Sequence, residues 1–451
     1  MVEEFLPTLG YQIKSGDFPI MAHQAMKSSY EALVDRLNRC PQGAPPSETL
    51  YAILKLLFSE QEAGLVAQLP VKAFTAEQAA RLWKTDLRTA QKNLDALSSR
   101  AILLDTLRPD GVKTYVLPPP MAGFFEFSMM RLRGDIDQKL LAQLFYQYMN
   151  VEEDFIKSLF INGDMQLGRV YVQESALEPE VSLRVLDYER ASYIVRSATH
   201  RAVGVCYCRH KMQHMDRVCD APMDICLTFN GCAESLSRNG VARSIDVAEG
   251  LDLLQQARDL GLVQFGDNVR HQVNFICNCC GCCCEALVAA RRFGFLNPVY
   301  TSNFLPVIDD ALCNGCGKCV DACPVEAMNL ISANDPHKPR RRVARLDMHL
   351  CLGCGVCIQS CPKKSLRLME RDERVITPVD SVHRIVWMAV ERGKLQNLIF
   401  DNQVLASHRA MAAVLGAILK LPPVKRTLAN HQIQSRYVER LIVWGEKELS
   451  H

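Results

Sequence analysis

Two runs of cysteine dominate the chemistry available to this chain. The first is Cys313-Asn-Gly-Cys316-Gly-Lys-Cys319-Val-Asp-Ala-Cys323-Pro324, and the second is Cys351-Leu-Gly-Cys354-Gly-Val-Cys357-Ile-Gln-Ser-Cys361-Pro362. Both read C-x2-C-x2-C-x3-C-P. Thiolates are soft ligands suited to iron–sulfur clusters and zinc. Three of them, two residues apart on a tight loop, can cap three irons of one cluster. Gly315, Gly317, Gly353 and Gly355 let each loop curl and turn backbone N–H groups towards sulfur. Disulfides or zinc are the bland alternatives, and two complete copies of the spacing argue against both.

A second cysteine-rich region precedes these runs. It holds Cys206-Tyr-Cys208-Arg209-His210, then Cys219, Cys226 and Cys232, and finally Cys277-Asn-Cys279-Cys280-Gly-Cys282-Cys283-Cys284. Six thiols in eight residues are not ordinary core. Adjacent cysteines point different ways, so they serve more than one centre or partner with Cys206–Cys226 across the fold. Ten of these cysteines (206, 208, 219, 226, 277, 279, 280, 282, 283 and 284) are candidates for a further iron–sulfur or zinc centre. Zinc accepts four thiolates. Iron–sulfur is favoured, because the duplicated loops begin fewer than thirty residues downstream. Arg209, His210 and His214 could donate hydrogen bonds or a nitrogen ligand.

Twenty cysteines in 451 residues are far above ordinary usage, and only Cys40 lies outside residues 206–361. The start, Met1-Val-Glu-Glu-Phe-Leu-Pro, lacks a basic segment followed by an apolar run, so no signal peptide is expected. In an unexported chain such cysteine density means metal ligation under reducing conditions, not disulfides. The expected setting is cytoplasmic and anaerobic or low in oxygen. No uncharged apolar stretch reaches the roughly 18 residues of a spanning helix. A formal net charge of +2 is near neutral and argues for neither a nucleic-acid coat nor a polyacidic partner. The 48% hydrophobic content is enough for real cores, and the length suggests about three domains.

The elements that must position these thiols define an α+β, multidomain chain. Residues 1–46 form a leader ending in the linker-like Pro41-Gln-Gly-Ala-Pro-Pro46. Residues 47–120 predict a winged helix. Leu50, Ile53, Leu54 and Leu57 share one helical face, and Thr75 with Gln78 fits a capping box. Thr85 is the expected cap of a third helix that buries Leu87, Ala90, Leu94 and Leu97. Strands at Ile102–Leu107 and Val112–Leu117 are joined by the turn Arg108-Pro-Asp-Gly111. The third helix would expose Arg88, Lys92 and Arg100 to DNA. Asp86, Asp95, Asp105 and Asp110 oppose that use, so protein contacts or domain packing are favoured over DNA binding.

Residues 121–300 predict a mixed α/β middle domain with the cysteine-rich metal site, including an amphipathic helix over 245–263. Residues 301–377 carry the duplicated loops. Their spacer includes His337-Lys-Pro-Arg-Arg-Arg342, a basic loop able to dock an acidic redox partner. Residues 378–451 read as a helical tail. Its apolar face comprises Val404, Leu405, Met411, Ala412, Leu415, Ile418 and Leu419, with Arg409, Lys420, Lys425 and Arg426 on or near it. Domain packing is favoured there over peripheral membrane contact.

The duplicated runs resemble the two-[4Fe-4S] bacterial ferredoxin module, and all eight ligand positions match over residues 306–370. That resemblance implies crossed ligation. Cys313, Cys316, Cys319 and Cys361 would hold one [4Fe-4S] cluster, and Cys351, Cys354, Cys357 and Cys323 the second. The wider layout is similar to long iron–sulfur binding proteins of anaerobic bacteria over residues 48–370, through Pro-Pro-Met-Ala-Gly-Phe-Phe-Glu-Phe, Cys-x-Cys-Arg-His and Ile276-Cys-Asn-Cys-Cys-Gly-Cys-Cys-Cys284. It brings no substrate. Cys279-Cys280-Gly281 also has the triplet of heterodisulfide-reductase-type subunits, but the remaining spacing does not match.

The expected function is electron transfer, as a ferredoxin-type carrier or a non-catalytic subunit of an anaerobic oxidoreductase, with redox protein partners and no catalytic residues. The alternative is a redox- or oxygen-responsive regulator in which cluster state acts on the winged helix.

Overall fold

In the computed structural model, the described residues are 27–160, 163–294, 299–375, 377–400 and 406–419. The first helix, Ser29–Arg39, starts at a capping box in which Ser28 and Glu31 satisfy each other's backbone N–H. It buries Leu33, Val34 and Leu37, and its Arg36 is fully buried, donating to the Leu69 and Pro70 carbonyls. Within the expected leader, the described helix Ser29–Arg39 therefore joins the core.

Helices Glu48–Leu57, Ala76–Trp83 and Leu87–Ser99 follow, with a further helix, Glu60–Val66, between the first two. Strands Leu104–Leu107 and Lys113–Val116 form an antiparallel hairpin, and Phe74–Thr75 pairs with its second strand. Gly111 takes the left-handed conformation (φ +81°) that the turn requires. Thr75 and Gln78 form the expected capping box. The next helix is capped by Asp86 instead of Thr85, because Lys84 ends the preceding helix in a left-handed conformation and the Asp86 carboxylate accepts from the Thr89 N–H at 3.0 Å.

The middle of the chain is built on a six-stranded antiparallel sheet. Its spatial order is Gly168–Val170, Val263–Asp267, Phe275–Cys279, Asp224–Phe229, Arg201–Val205 and Arg243–Ser244. Side chains alternate across a sheet. Leu227, Phe229 and Ile276 join one core with Ile194, Val195 and Leu254, from helices Ala191–Ser197 and Val247–Asp259. Phe265 and Cys279 face the opposite core, with Phe125, Phe145 and Tyr207. On that second face the sheet presents its cysteines.

Downstream, Phe304–Ile308 pairs with Leu366–Glu370, and Met328–Ser332 pairs with Arg342–Leu346. Each cysteine loop runs into a single helical turn, Lys318–Asp321 or Val356–Gln359. The last helices are Ser381–Glu391, Leu395–Ile399 and Ala406–Leu419. Arg384 of the first is buried, paired with Asp267 of the sheet and donating to the Leu167 carbonyl at 2.9 Å. Arg392 donates to Pro41 and Leu159, so this part of the tail packs as a structural strut. On the expected apolar face Ala412 is buried and Met411 exposed. Val404, Leu405, Lys420, Lys425 and Arg426 lie outside the described residues, as do the side chains of Ile418 and Leu419. No described helix is long and apolar enough to cross a membrane.

Candidate metal centres

The duplicated loops place their thiols in two groups. Cys319 is pushed above the ordinary thiol range by burial and by the negative Cys313, Cys361 and Cys316 around it. Cys351 is raised to about 11 and Cys354 to about 12, mainly by burial, with Cys323 among the charges acting on both. The fourth cysteine of each run thus stands among the first three of the other. Backbone N–H groups point at the sulfurs, from Ala344 to Cys313 and from Gly353 to Cys351 at 3.4 Å each. Ala327 donates to Cys323 at 3.2 Å and Ser365 to Cys361 at 3.4 Å. Such donors stabilise anionic sulfur.

The two loops also turn alike. Gly315 has φ +69° and Gly353 φ +68°. A Cβ would come within 2.3 Å of the Arg342 oxygen at the first and 2.1 Å of the Phe304 oxygen at the second. No other residue fits either turn. A donor set of four thiols, flanked by N–H groups, fits a [4Fe-4S] cluster in each loop.

The ten candidate cysteines of the middle region separate into six and four. Cys206, Cys208, Cys284, Cys279, Cys277 and Cys226, taken in that order, form a closed ring in which each thiol interacts with its two neighbours. Three segments supply the ring. Cys277 and Cys279 sit two apart on strand Phe275–Cys279, so they share a face. Cys226 comes from the adjacent strand, Asp224–Phe229. Cys206 caps helix Tyr207–Gln213, which carries Cys208, while Cys284 caps helix Glu285–Arg292.

Hydrogen bonds from neighbouring thiols lower Cys277 to about 5 and Cys284 to about 6, and lower Cys206 as well. Cys208, Cys226 and Cys279 donate those bonds and are pushed well above the thiol range. The ring borders a cavity of ≈ 90 Å³ lined also by Met121, Phe127, Phe160 and Phe265.

Cys219, Cys280, Cys282 and Cys283 form the second group, with all four sulfurs within 4.8 Å of one another. Cys219–Cys280 is 3.5 Å, Cys282–Cys283 3.7 Å and Cys283–Cys219 3.9 Å. The strand's alternation explains the split. Cys280 directly follows Cys279 and joins Cys219, Cys282 and Cys283 while still bordering the cavity, and Cys284 returns to the ring only after the turn at Gly281. Cys232 belongs to neither group. It lines the cavity, buried, with its thiol raised to about 12 by burial and by Glu126.

Arg209 serves both groups. Its side chain is fully buried, donating to the Pro222 carbonyl at 2.9 Å and to the Asn278 carbonyl at 2.8 Å. Burial opposes its charge, but the negative Cys206 and Cys280 raise it above the ordinary guanidinium value. His210 and His214 are not among either thiol group. The His210 Nδ1 lies 2.7 Å from the Met129 carbonyl, and its Nε2 lies 3.2 Å from the His214 Nε2. Lys211 forms a buried ion pair with Glu285, and Asn150 bridges both.

Glu126 was not among the residues singled out from sequence. It projects into the cavity from the Pro120–Phe127 segment, where Ala122 adopts a positive φ of 53° and its N–H donates to the carboxylate at 3.1 Å. Burial, reinforced by the negative Cys277, raises this carboxyl to about 8. The available signal was a single acid inside the apolar run Met-Ala-Gly-Phe-Phe-Glu-Phe.

The two cysteine-rich regions meet. A Cβ at Gly281 would lie 2.5 Å from the Pro324 oxygen, so the middle loop runs directly against Cys323-Pro324. The Gln173 N–H donates to the Cys354 carbonyl at 2.9 Å, and Arg371 donates to the Cys351 carbonyl at 2.7 Å. The Cys351 loop therefore faces the middle sheet. The Cys313 loop faces outwards, with Cys316 exposed.

Residues 312–365 match the family of 4Fe-4S dicluster domains. That match defines an iron–sulfur module within the chain and supports a role in electron transfer. No curated protein and no solved structure matches the chain.

Proposed function

We propose that this protein is a multicentre electron carrier with two [4Fe-4S] clusters and at least one further iron–sulfur centre. Cys313, Cys316, Cys319 and Cys361 hold the outer cluster. Cys351, Cys354, Cys357 and Cys323 hold the inner one, and the six-thiol ring holds the third centre. The contact between Gly281 and Pro324 carries the reading, because it sets Cys323, the crossed ligand of the inner cluster, against the middle cysteines with no room for an intervening side chain. A single ion takes four thiolates. Six thiols around a cavity of ≈ 90 Å³ suit a multi-iron centre instead.

Exposed Cys316 would leave the outer cluster's side open to a redox partner, while Cys323-Pro324 would bring the inner cluster's side against the ring. The clusters supply the one-electron chemistry. The chain excludes water, aims N–H groups at sulfur and supplies the buried Arg209 cation, all of which set potential. Lys318, Arg340, Arg342, Lys363 and Lys364 are exposed around the outer half and favour an acidic redox partner. Arg341 ties this basic loop to the outer cysteines through the Asp310 and Cys313 carbonyls.

The N-terminal helices and hairpin act as a winged helix used for packing, not for reading DNA. Asp105 of its hairpin is buried against Ser235, Arg238 and Asn239 of the middle region. Lys113 and Arg100, two of the cations a DNA reader would display, are paired with Asp95 and Glu62. The test is stopped-flow reduction of the full chain by a low-potential donor. Rapid reduction of the two clusters followed by onward transfer supports the carrier. Nanomolar, cluster-dependent binding to a promoter fragment would support a regulator instead.

A further inference from the structure

We propose that Cys219, Cys280, Cys282 and Cys283 bind a single zinc ion in a closed tetrahedral site, separate from every iron–sulfur centre. The sulfur spacing carries the assignment. Four thiolates at a zinc–sulfur distance of about 2.3 Å stand about 3.8 Å apart along the edges of the tetrahedron. The observed separations are 3.5, 3.7 and 3.9 Å, and no pair exceeds 4.8 Å. A cubane gives each thiolate its own iron, which spreads the four sulfurs wider than this cluster allows. The six-thiol ring, by contrast, is laid around a cavity.

Ligand chemistry agrees with the spacing. Four thiolates complete the coordination of zinc and leave no position open, as structural sites require. Zinc has no geometric preference of its own, so it tolerates the vicinal pair Cys282-Cys283. It is also redox-inert, which suits a site whose Cys282 is exposed to solvent. Four thiolates on one dication leave a net negative charge, and the buried guanidinium of Arg209 lies close enough to Cys280 to offset it.

The site has a mechanical consequence. Cys219 lies in the connection between helix Tyr207–Gln213 and strand Asp224–Phe229, whereas the other three ligands form the turn after strand Phe275–Cys279. Zinc would staple these segments and fix Gly281 against Pro324, at the seam the proposed electron path crosses. The zinc assignment goes beyond the electron-transfer reading and holds whether or not the ring contains iron.

The test uses the full chain, purified anaerobically and washed with chelator. Zinc K-edge X-ray absorption should show four sulfur ligands at about 2.3 Å, with about one zinc per chain. Cys219→Ser combined with Cys282→Ser should remove that zinc and leave iron content unchanged. Absence of zinc, zinc with oxygen or nitrogen ligands, or iron in this site would overturn the proposal. If the double variant fails to fold, the absorption measurement on the unaltered protein still decides. Loss of iron from the ring variant Cys226→Ala, with zinc retained, reports separately on the third centre.

Discussion

The duplicated loops and the middle cysteines solve the same problem, convergence of thiolates, by opposite means. In the loops, spacing alone brings three thiols together, and a helical turn carries the fourth towards the other half. Each half is nearly self-contained in sequence. In the middle region, ligands up to 78 positions apart, from Cys206 to Cys284, meet because two antiparallel strands and two helix starts point at one cavity. A local motif therefore tells which thiols cooperate, whereas a sheet-assembled site hides that information in register.

The largest expected effect breaks the first region. Cys361→Ala should abolish the cluster built on the Cys313 loop and leave its own loop's cluster largely intact. Electron paramagnetic resonance of the reduced protein would show one cluster spectrum losing its magnetic interaction. Selective loss of the Cys351-loop signal would refute crossed ligation.

The equivalent cut in the middle should behave differently. Cys277→Ala removes a ring member flanked by Cys226 and Cys279, so the third centre should be lost while both loop clusters persist. Iron quantification and Mössbauer spectra together test this. Uniform loss across all centres would show that the regions do not bind iron independently.

A smaller effect concerns packing between the N-terminal region and the sheet. Burial pushes the Asp105 carboxyl up, but bonds from Ser235 and Arg238 outweigh it and hold it below its ordinary value. Asp105→Ala should cost about 1–3 kcal/mol, as for leaving the buried Ser235 hydroxyl without its partner while Arg238 keeps access to water. A carboxyl depressed in the folded state stabilises above its unfolded value of about 3.9 and loses that contribution as pH falls through the folded value. Denaturant midpoints should therefore converge for the variant and the unaltered protein only at low pH. A constant difference across that range would remove Asp105 from the account.

The smallest effect sharpens the seam itself. Gly281→Ala would overpack the Pro324 contact at a cost of about 1–3 kcal/mol. Both sets of metal ligands remain, so metal content should hold while onward electron transfer slows. An unchanged rate would mean that electrons do not cross at this point.

These contrasts mark what the sequence reveals. The spacing of the eight loop cysteines, the helix at Thr75 and the hairpin that turns at Gly111 were legible because each is specified by neighbours in the chain. Adjacent cysteines were expected to serve more than one centre or to partner with Cys206–Cys226 across the fold; Cys279 falls in the group of six and Cys280 in the group of four, whereas the adjacent Cys282 and Cys283 share one group. The partition into six and four was not legible, because Cys219 and Cys226, seven residues apart, fall in different groups through the strand that begins at Asp224. Nor was Glu126, whose approach to the ring depends on the positive φ of Ala122. Likewise, Lys84 in its left-handed conformation moved a cap from Thr85 to Asp86.

The most direct test of the central claim is Mössbauer spectroscopy with absolute iron determination on the full chain, isolated anaerobically from iron-57-enriched cells. Two cubanes account for about eight irons per chain. More iron than that is expected, with the excess in a distinct subspectrum that disappears in Cys226→Ala. Iron that stops at about eight, with a spectrum unchanged by that substitution, would contradict it.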